Sequence, residues 1–409
     1  MAPTDTDVRR EPGQDDVIGQ DRLARSVLRV LGRMPMGSVV AVHGAPGSGK
    51  GEFFRRMAWL AHVGTRTGRG ETIPGLFPAV VWYDPWAWSK QGGVLAGVVA
   101  AVARSAAQPQ LHMDRAREII SNINKLRLDG EELEGQTTAF SGLEADPVEA
   151  VVDGFVQLVE AVKGGRNTRL LIFVDQVDRL APGLRLQVLD GLRLLMLGTP
   201  GASAVICVGR EAAETAIRHR DGEMPDQSVQ RELSAYLDLA VTVPGLDVRR
   251  IGTLLRENLG PGEALVRRAF GPEAITGLSA AVAHRPLGSP RLLRRLAWRV
   301  QLLAEYAHEA RVNRELTEAQ WAWVIVSERW PSFRRFMIRG GRDRWVGLKQ
   351  VAAAFADKKL PAGGLRPELV EWLDGDLLLA DYLRLHADGF GRDTEGIFWL
   401  ESLMLTAGL

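Results

Sequence analysis

Eight consecutive residues, Gly44-Ala45-Pro46-Gly47-Ser48-Gly49-Lys50-Gly51, constrain this chain more than any other part of it. They follow Val39-Val40-Ala41-Val42, a continuously apolar run that reads as a buried strand. They precede Glu52 to His62, whose apolar spacing reads as a helix. A strand, a loop with the spacing G-x-x-x-x-G-K and a helix form the unit whose backbone amides wrap phosphate groups. Glycines let consecutive amides turn inward, and Lys50 brings positive charge toward the β- and γ-phosphates of a nucleotide. The helix starting near Lys50 adds the positive end of its dipole. The pattern departs at Gly51, where a Ser or Thr hydroxyl would help hold Mg2+; the ion is then left to water, to carboxylates or to weak binding.

Four further apolar runs follow: Pro78 to Tyr83, ending at the turn signal Asp84-Pro85; Leu170 to Val174, ending in Asp175; Ala202 to Val208; and Leu239 to Val243. Apolar strands separated by helices predict an α/β three-layer core with a mostly parallel sheet covered on both faces. Residues 105–146 read as a polar insertion carrying one helix at Met113 to Leu128, with another helix over Pro147 to Val162. Beyond Pro244-Gly245 the pattern becomes helical. The predicted organisation is a flexible tail over 1–14, a core over 15–245, a helical lid over 246–312 and a C-terminal helical domain over 313–409. That last part opens on Thr317-Glu318-Ala319-Gln320, which has capping-box spacing.

Asp175 falls at the C-terminal edge of the inferred sheet, where open α/β sheets bind ligands. It is a candidate Mg2+ ligand, directly or through water; its plainer reading is a turn aspartate that caps the next element. Gln176 stands where many ATPases have a catalytic carboxylate, and its amide can orient water without serving as a strong base. Asp178 either activates water or pairs with Arg179 to hold the loop. Arg210, two residues beyond Val208, either senses a γ-phosphate or makes a surface salt bridge.

A net charge of +1 over 409 residues gives no whole-chain reason to expect nucleic acid, although arginine clusters can make a local surface. Arg291, Arg294, Arg295 and Arg299 recur at helical spacing, and Phe333 to Trp345 mixes arginines with aromatics. Only seven of the 51 basic residues are lysine, so arginine is abundant everywhere. A partly buried helix followed by a charged loop is therefore the plainer reading of that stretch. The single cysteine, Cys207, excludes an internal disulfide or a thiolate cluster made by this chain alone; it fits a reducing cytoplasm and reads as a small buried strand residue. The seven histidines form no H-E-x-x-H motif, so no protein-made zinc site is expected. Val94 to Ala103, the most apolar helical stretch, falls short of the roughly 20 residues that cross a bilayer, and no membrane span is expected.

Taken in order, these units resemble the KAP family of P-loop NTPases, within the broader STAND-like group. Gly44 to Gly51 is similar to its Walker A motif, Tyr83-Asp84-Pro85-Trp86-Ala87-Trp88 to the aromatic strand end that follows, and Leu171 to Leu180 to its extended Walker B motif. Val205 to Arg210 resembles the fourth strand with its sensor position. Tyr236 to Pro244 resembles the approach to a helical lid, and Gly288-Ser289-Pro290-Arg291 a helix start near the nucleotide. The resemblance spans residues 15–340. It implies ATP, in preference to GTP, bound with Mg2+. It also implies that Asp16 to Gly19 approach the base and Pro290 packs on it, unless these are ordinary turns, and that Arg291 reaches the phosphates. The function implied is an ATP-binding conformational switch in bacterial signalling or antiviral defence, with a protein partner or self-association through the helical half. A nucleotide-binding scaffold or nucleic-acid-associated protein with little intrinsic hydrolysis is the alternative. Many members of the family carry transmembrane helices between Walker A and Walker B, and this chain does not. Gly51 in place of the Walker A Ser or Thr, and Gln176 in place of the usual second acidic residue, lead us to expect weak or partner-dependent hydrolysis.

Overall fold

The computed structural model describes residues 20–44, 47–63, 65–66, 72–73, 77, 79–89, 93–106, 109–132, 147–163, 165, 168–222, 224–244, 246–283, 289–339, 371–372 and 374–409. The chain divides into two compact units, Met1–Pro244 and Gly245–Leu409.

The first unit is α/β. Its strands are β1 (Val39–His43), β2 (Thr65–Arg66), β3 (Thr72–Ile73), β4 (Ala79–Tyr83), β5 (Leu170–Val174), β6 (Ala202–Cys207) and β7 (Leu239–Thr242). β2 and β3 form a small antiparallel pair, while the other five make one sheet in the order β4-β5-β6-β1-β7 with all neighbours parallel. Every residue of β1, β5 and β6 is buried, as strands covered on both faces require, whereas β7 at the edge alternates between half-buried and exposed. These strands lie on the five apolar runs picked out in the sequence.

The helices of this unit are α1 (Asp21–Arg33), α2 (Lys50–Val63), α3 (Pro85–Trp88), α4 (Val94–Ser105), α5 (Pro109–Glu132), α6 (Pro147–Val162), α7 (Pro182–Leu197), α8 (Arg210–Asp221) and α9 (Asp226–Tyr236). Strand alternation sends Val40, Val42, Leu171, Phe173 and Val205 to the face covered by α1 and α2. Val39, Ala41, Ile172, Val174 and Ala204 go to the opposite face, covered by α4 to α9. Each such side chain, fully buried, contributes roughly 1.5–3 kcal/mol. Arg169, just before β5, donates to the carbonyls of Leu31 (2.5 Å) and Met34 (2.9 Å), closing the C-terminal end of α1.

α5 is longer than the predicted Met113 to Leu128. Ala116, Ile119 and Ile123 are buried in the sheet core, a stripe at helical spacing inside that span. Residues 133–146 of the predicted insertion, like the tail, lie outside the described residues.

The second unit is helical among its described residues: α10 (Val248–Leu259), α11 (Glu263–Phe270), α12 (Ala274–Val282), α13 (Pro290–Glu309), α14 (Glu318–Arg329), α15 (Pro331–Arg339), α16 (Leu377–Leu385), α17 (Ala387–Arg392) and α18 (Thr394–Thr406). The capping box read from Thr317 and Gln320 is formed. Trp321 and Trp323 of α14 are fully buried, Trp321 edge-on to Phe270 at 5.9 Å. Among the described residues, no helix is long and apolar enough to cross a membrane.

Candidate functional site

The topology marks one place on the sheet. β1 and β6 are neighbours, yet the chain leaves β1 for α2 on one face and leaves β6 for α8 on the other. A crevice opens at the C-terminal ends of two such strands, because their following helices diverge. Gly44 and the described loop residues 47–49 follow β1 at that edge.

Steric limits explain the glycines there. A Cβ on Gly44 would stand 2.6 Å from Ser48 Oγ and 2.9 Å from Lys50 Cγ, so any other residue there would force those two side chains to shift. Gly47 and Gly49 have φ of 83° and 94°, in the left-handed region. Ala45 and Pro46 lie outside the described residues. α2 then begins at Lys50, whose Nζ turns back to donate to the Gly44 carbonyl at 2.6 Å. Gly51 is in the first turn of α2, and a Cβ there would meet nothing within 4 Å.

β5 delivers the acidic side. Asp175 is buried, its backbone amide donating to the Tyr83 carbonyl (3.0 Å) and its Oδ1 accepting from the Gln176 amide (2.8 Å). Burial pushes its carboxyl above the usual range; the Gln176 N–H opposes this, and nearby Asp84 adds to it. The Cys207 thiol, at the end of adjacent β6, bonds to Asp175; burial first and then the Asp175 charge push the thiol up, so it stays protonated and donates. Gln176 takes a left-handed backbone, φ 62°, which costs a non-glycine residue about 1–3 kcal/mol and concentrates at functional sites. That bend starts the short helical turn Val177–Arg179 and returns Asp178 toward α2.

Asp178 is paired with Lys50 (Oδ2 to Nζ, 3.1 Å) and accepts from the Gly209 amide at 2.6 Å. The sequence had offered Arg179 as its partner; instead the Arg179 guanidinium lies over the Trp86 ring, 5.3 Å from its centroid. Asp84, before that ring, caps α3 by accepting from Trp86 and Ala87 amides. Arg210 is exposed and donates to Glu214 at 3.0 Å, the salt-bridge geometry among its two readings.

Two residues of this region were not singled out from sequence. His43, buried just before the loop, donates from Nδ1 to the Val208 carbonyl at 2.8 Å and so ties the ends of β1 and β6 together. Arg185 of α7 donates to the carbonyls of Asp178 (3.1 Å) and Ala212 (3.4 Å). An ordinary strand end and an unremarkable helix position gave no signal for either.

Of the remaining candidates, Asp16 and Gly19 lie outside the described residues, while Pro290 and Arg291 start α13 in the second unit, behind an N-cap by Ser289. Further along α13, Arg295 and Arg299 share Glu328; in α15, Arg334 is bound to buried Glu401. A cavity of about 540 Å³ opens beside these arginines and Trp298, wholly within the second unit and without any glycine-loop residue. No family model matches the chain, and no curated protein matches it.

Proposed function

We propose that the chain binds a nucleoside triphosphate, ATP, on the loop from Gly44 to Gly51. Its bound state acts as a conformational switch whose hydrolysis is slow or depends on a partner. The observation that carries this reading is Lys50: a cation at the start of a helix, at the point of strand divergence, in contact with the Gly44 carbonyl and with the partly exposed Asp178 carboxylate, which phosphates can replace. Gly44, with the Ser48 and Lys50 side chains folded against it, supports it, since a loop packed this tightly brings backbone close to a ligand.

Mg2+ bound with the nucleotide would neutralise charge on the β- and γ-phosphates. Asp175 is the residue to hold it, directly or through water. A cation there would offset the burial that disfavours the Asp175 charge, and since among the described residues no group of three or more such ligands gathers, phosphate and water would complete the shell. The P-loop identity of the core, the lid role of the helices after Gly245, a cytoplasmic site of action and a place in bacterial signalling or antiviral defence rest on the resemblance to KAP and STAND-like proteins. A partner or a second copy would engage the helical half. Of the arginines in that half that could meet nucleic acid, Arg295, Arg299 and Arg334 are engaged by carboxylates of their own unit, and residues 340–345 of the arginine-aromatic stretch lie outside the described residues.

Slow hydrolysis follows from two residues. Gly51 has no hydroxyl to help hold Mg2+, and Gln176 has no basic oxygen. Phosphate release at saturating ATP and Mg2+ should run below roughly 1 per second, the lower edge of common turnover. Gly51→Ser and Gln176→Glu, singly or together, should raise it. Rapid wild-type release that neither substitution improves would overturn this reading of the hydrolytic step.

A further inference from the structure

Asp178 does more than face the loop. Its Oδ2 holds Lys50 at the start of α2, and its Oδ1 accepts from Gly209, the residue that precedes α8. Its carbonyl accepts from Arg185, which also reaches the Ala212 carbonyl in the first turn of α8. One residue thus joins the cation of the phosphate loop to the helix leaving the neighbouring strand. The Asp178 side chain is 36% exposed and that of Lys50 10%, so the ion pair is partly solvated and weak enough to exchange. A triphosphate, with several negative charges, competes for the same ammonium and repels the same carboxylate.

Resting on the nucleotide-binding reading above, we propose that Asp178 is a positioning residue. It restrains Lys50 in the ligand-free protein, gives Lys50 up to the phosphates, and carries its own displacement through Gly209 and Arg185 to α8. The substrate class is a nucleoside triphosphate, and the element that reports its arrival is the start of α8. A carboxylate that served only to activate water would have no need of the Gly209 amide.

Asp178→Asn removes the charge and keeps an oxygen for Gly209; Asp178→Ser, smaller and still polar, is the second variant. Both should tighten ATP binding about two- to fivefold, the size of a partly exposed ion pair no longer given up on binding. In wild type, ATP should change amide hydrogen exchange over residues 209–214, and in both variants that change should be lost. If both variants leave ATP affinity and the exchange response as in wild type, or weaken ATP binding, the inference is overturned. If wild type does not bind ATP, or binds it equally well after Lys50→Ala, the nucleotide reading itself fails. These two failures are therefore distinguishable in one set of titrations.

Discussion

Two parts of the molecule present cations, and they use them in opposite ways. In the first unit Lys50 stands at a loop edge against a backbone carbonyl and the partly exposed Asp178. In the second, Arg334 is buried against Glu401, itself 3% exposed; that carboxylate also accepts from the Trp323 indole at 2.7 Å. An ion pair open to solvent can be exchanged for a ligand, whereas a pair closed inside helices can only be kept or broken. Four clustered arginines on α13 look more like a binding surface than one lysine does. The carboxylates they face decide otherwise for Arg295 and Arg299.

The largest effect expected from this contrast is on stability of the second unit. Arg334→Ala would leave the Glu401 carboxylate buried without its cation, at a cost of about 3–5 kcal/mol in chemical denaturation. Adding Glu401→Gln, which still accepts from Trp323, should recover much of that loss. ATP affinity below the melting range should stay the same. A loss of ATP binding in folded Arg334→Ala protein would break the division of labour between the two kinds of cation.

Gly44→Ala should have the next largest effect, now on binding. The added Cβ meets Ser48 Oγ and Lys50 Cγ inside 3.0 Å, so the Lys50 side chain must leave its present path and ATP affinity should fall about tenfold, roughly 1.4 kcal/mol. Unchanged affinity would show that the loop does not approach the ligand.

Asp175→Asn sharpens the comparison by separating stability from function. Burial disfavours the Asp175 charge, so its removal should raise ligand-free stability in thermal denaturation. The extra thermal stabilisation that Mg2+ adds to ATP should vanish. A variant that is less stable, yet keeps the Mg2+ effect, would make Asp175 a structural turn residue instead.

Gly51→Ser has the smallest expected effect on stability. Its Cβ enters open space in a helix, where serine is favoured over glycine by about 0.5 kcal/mol, so thermal denaturation should move slightly upward. A marked loss would mean that the first turn of α2 is packed more tightly than described.

Much of the core was legible because its strands are continuous apolar runs, and the ends of two of them fix where Gly44 and Asp175 lie. α5 extends beyond Met113 to Leu128 at both ends, where Pro109-Gln110 and Asp129-Gly130-Glu131-Glu132 carry no apolar residue to extend the stripe of Met113, Ala116, Ile119, Ile120 and Ile123. Pairings distant along the chain were beyond local patterns. Nothing around Arg334 in sequence points to Glu401, 67 residues away, and Asp178 has Arg179 next to it while its actual partner is Lys50. The left-handed turn at Gln176 was also hidden, since glutamine carries no preference for that conformation. Propensity and spacing describe what each segment can do alone, and the exchange of partners around Lys50 arises only when β1, β5 and β6 lie side by side.

The most direct measurement is titration of ATP and ADP, each with Mg2+, into wild type and Lys50→Ala whose folding has been checked. Lys50 brings its charge toward the β- and γ-phosphates, so the substitution should weaken ATP binding more than ADP binding, by about tenfold or more for ATP. Equal affinities for both nucleotides in both folded proteins would contradict a triphosphate site at the Gly44 to Gly51 loop.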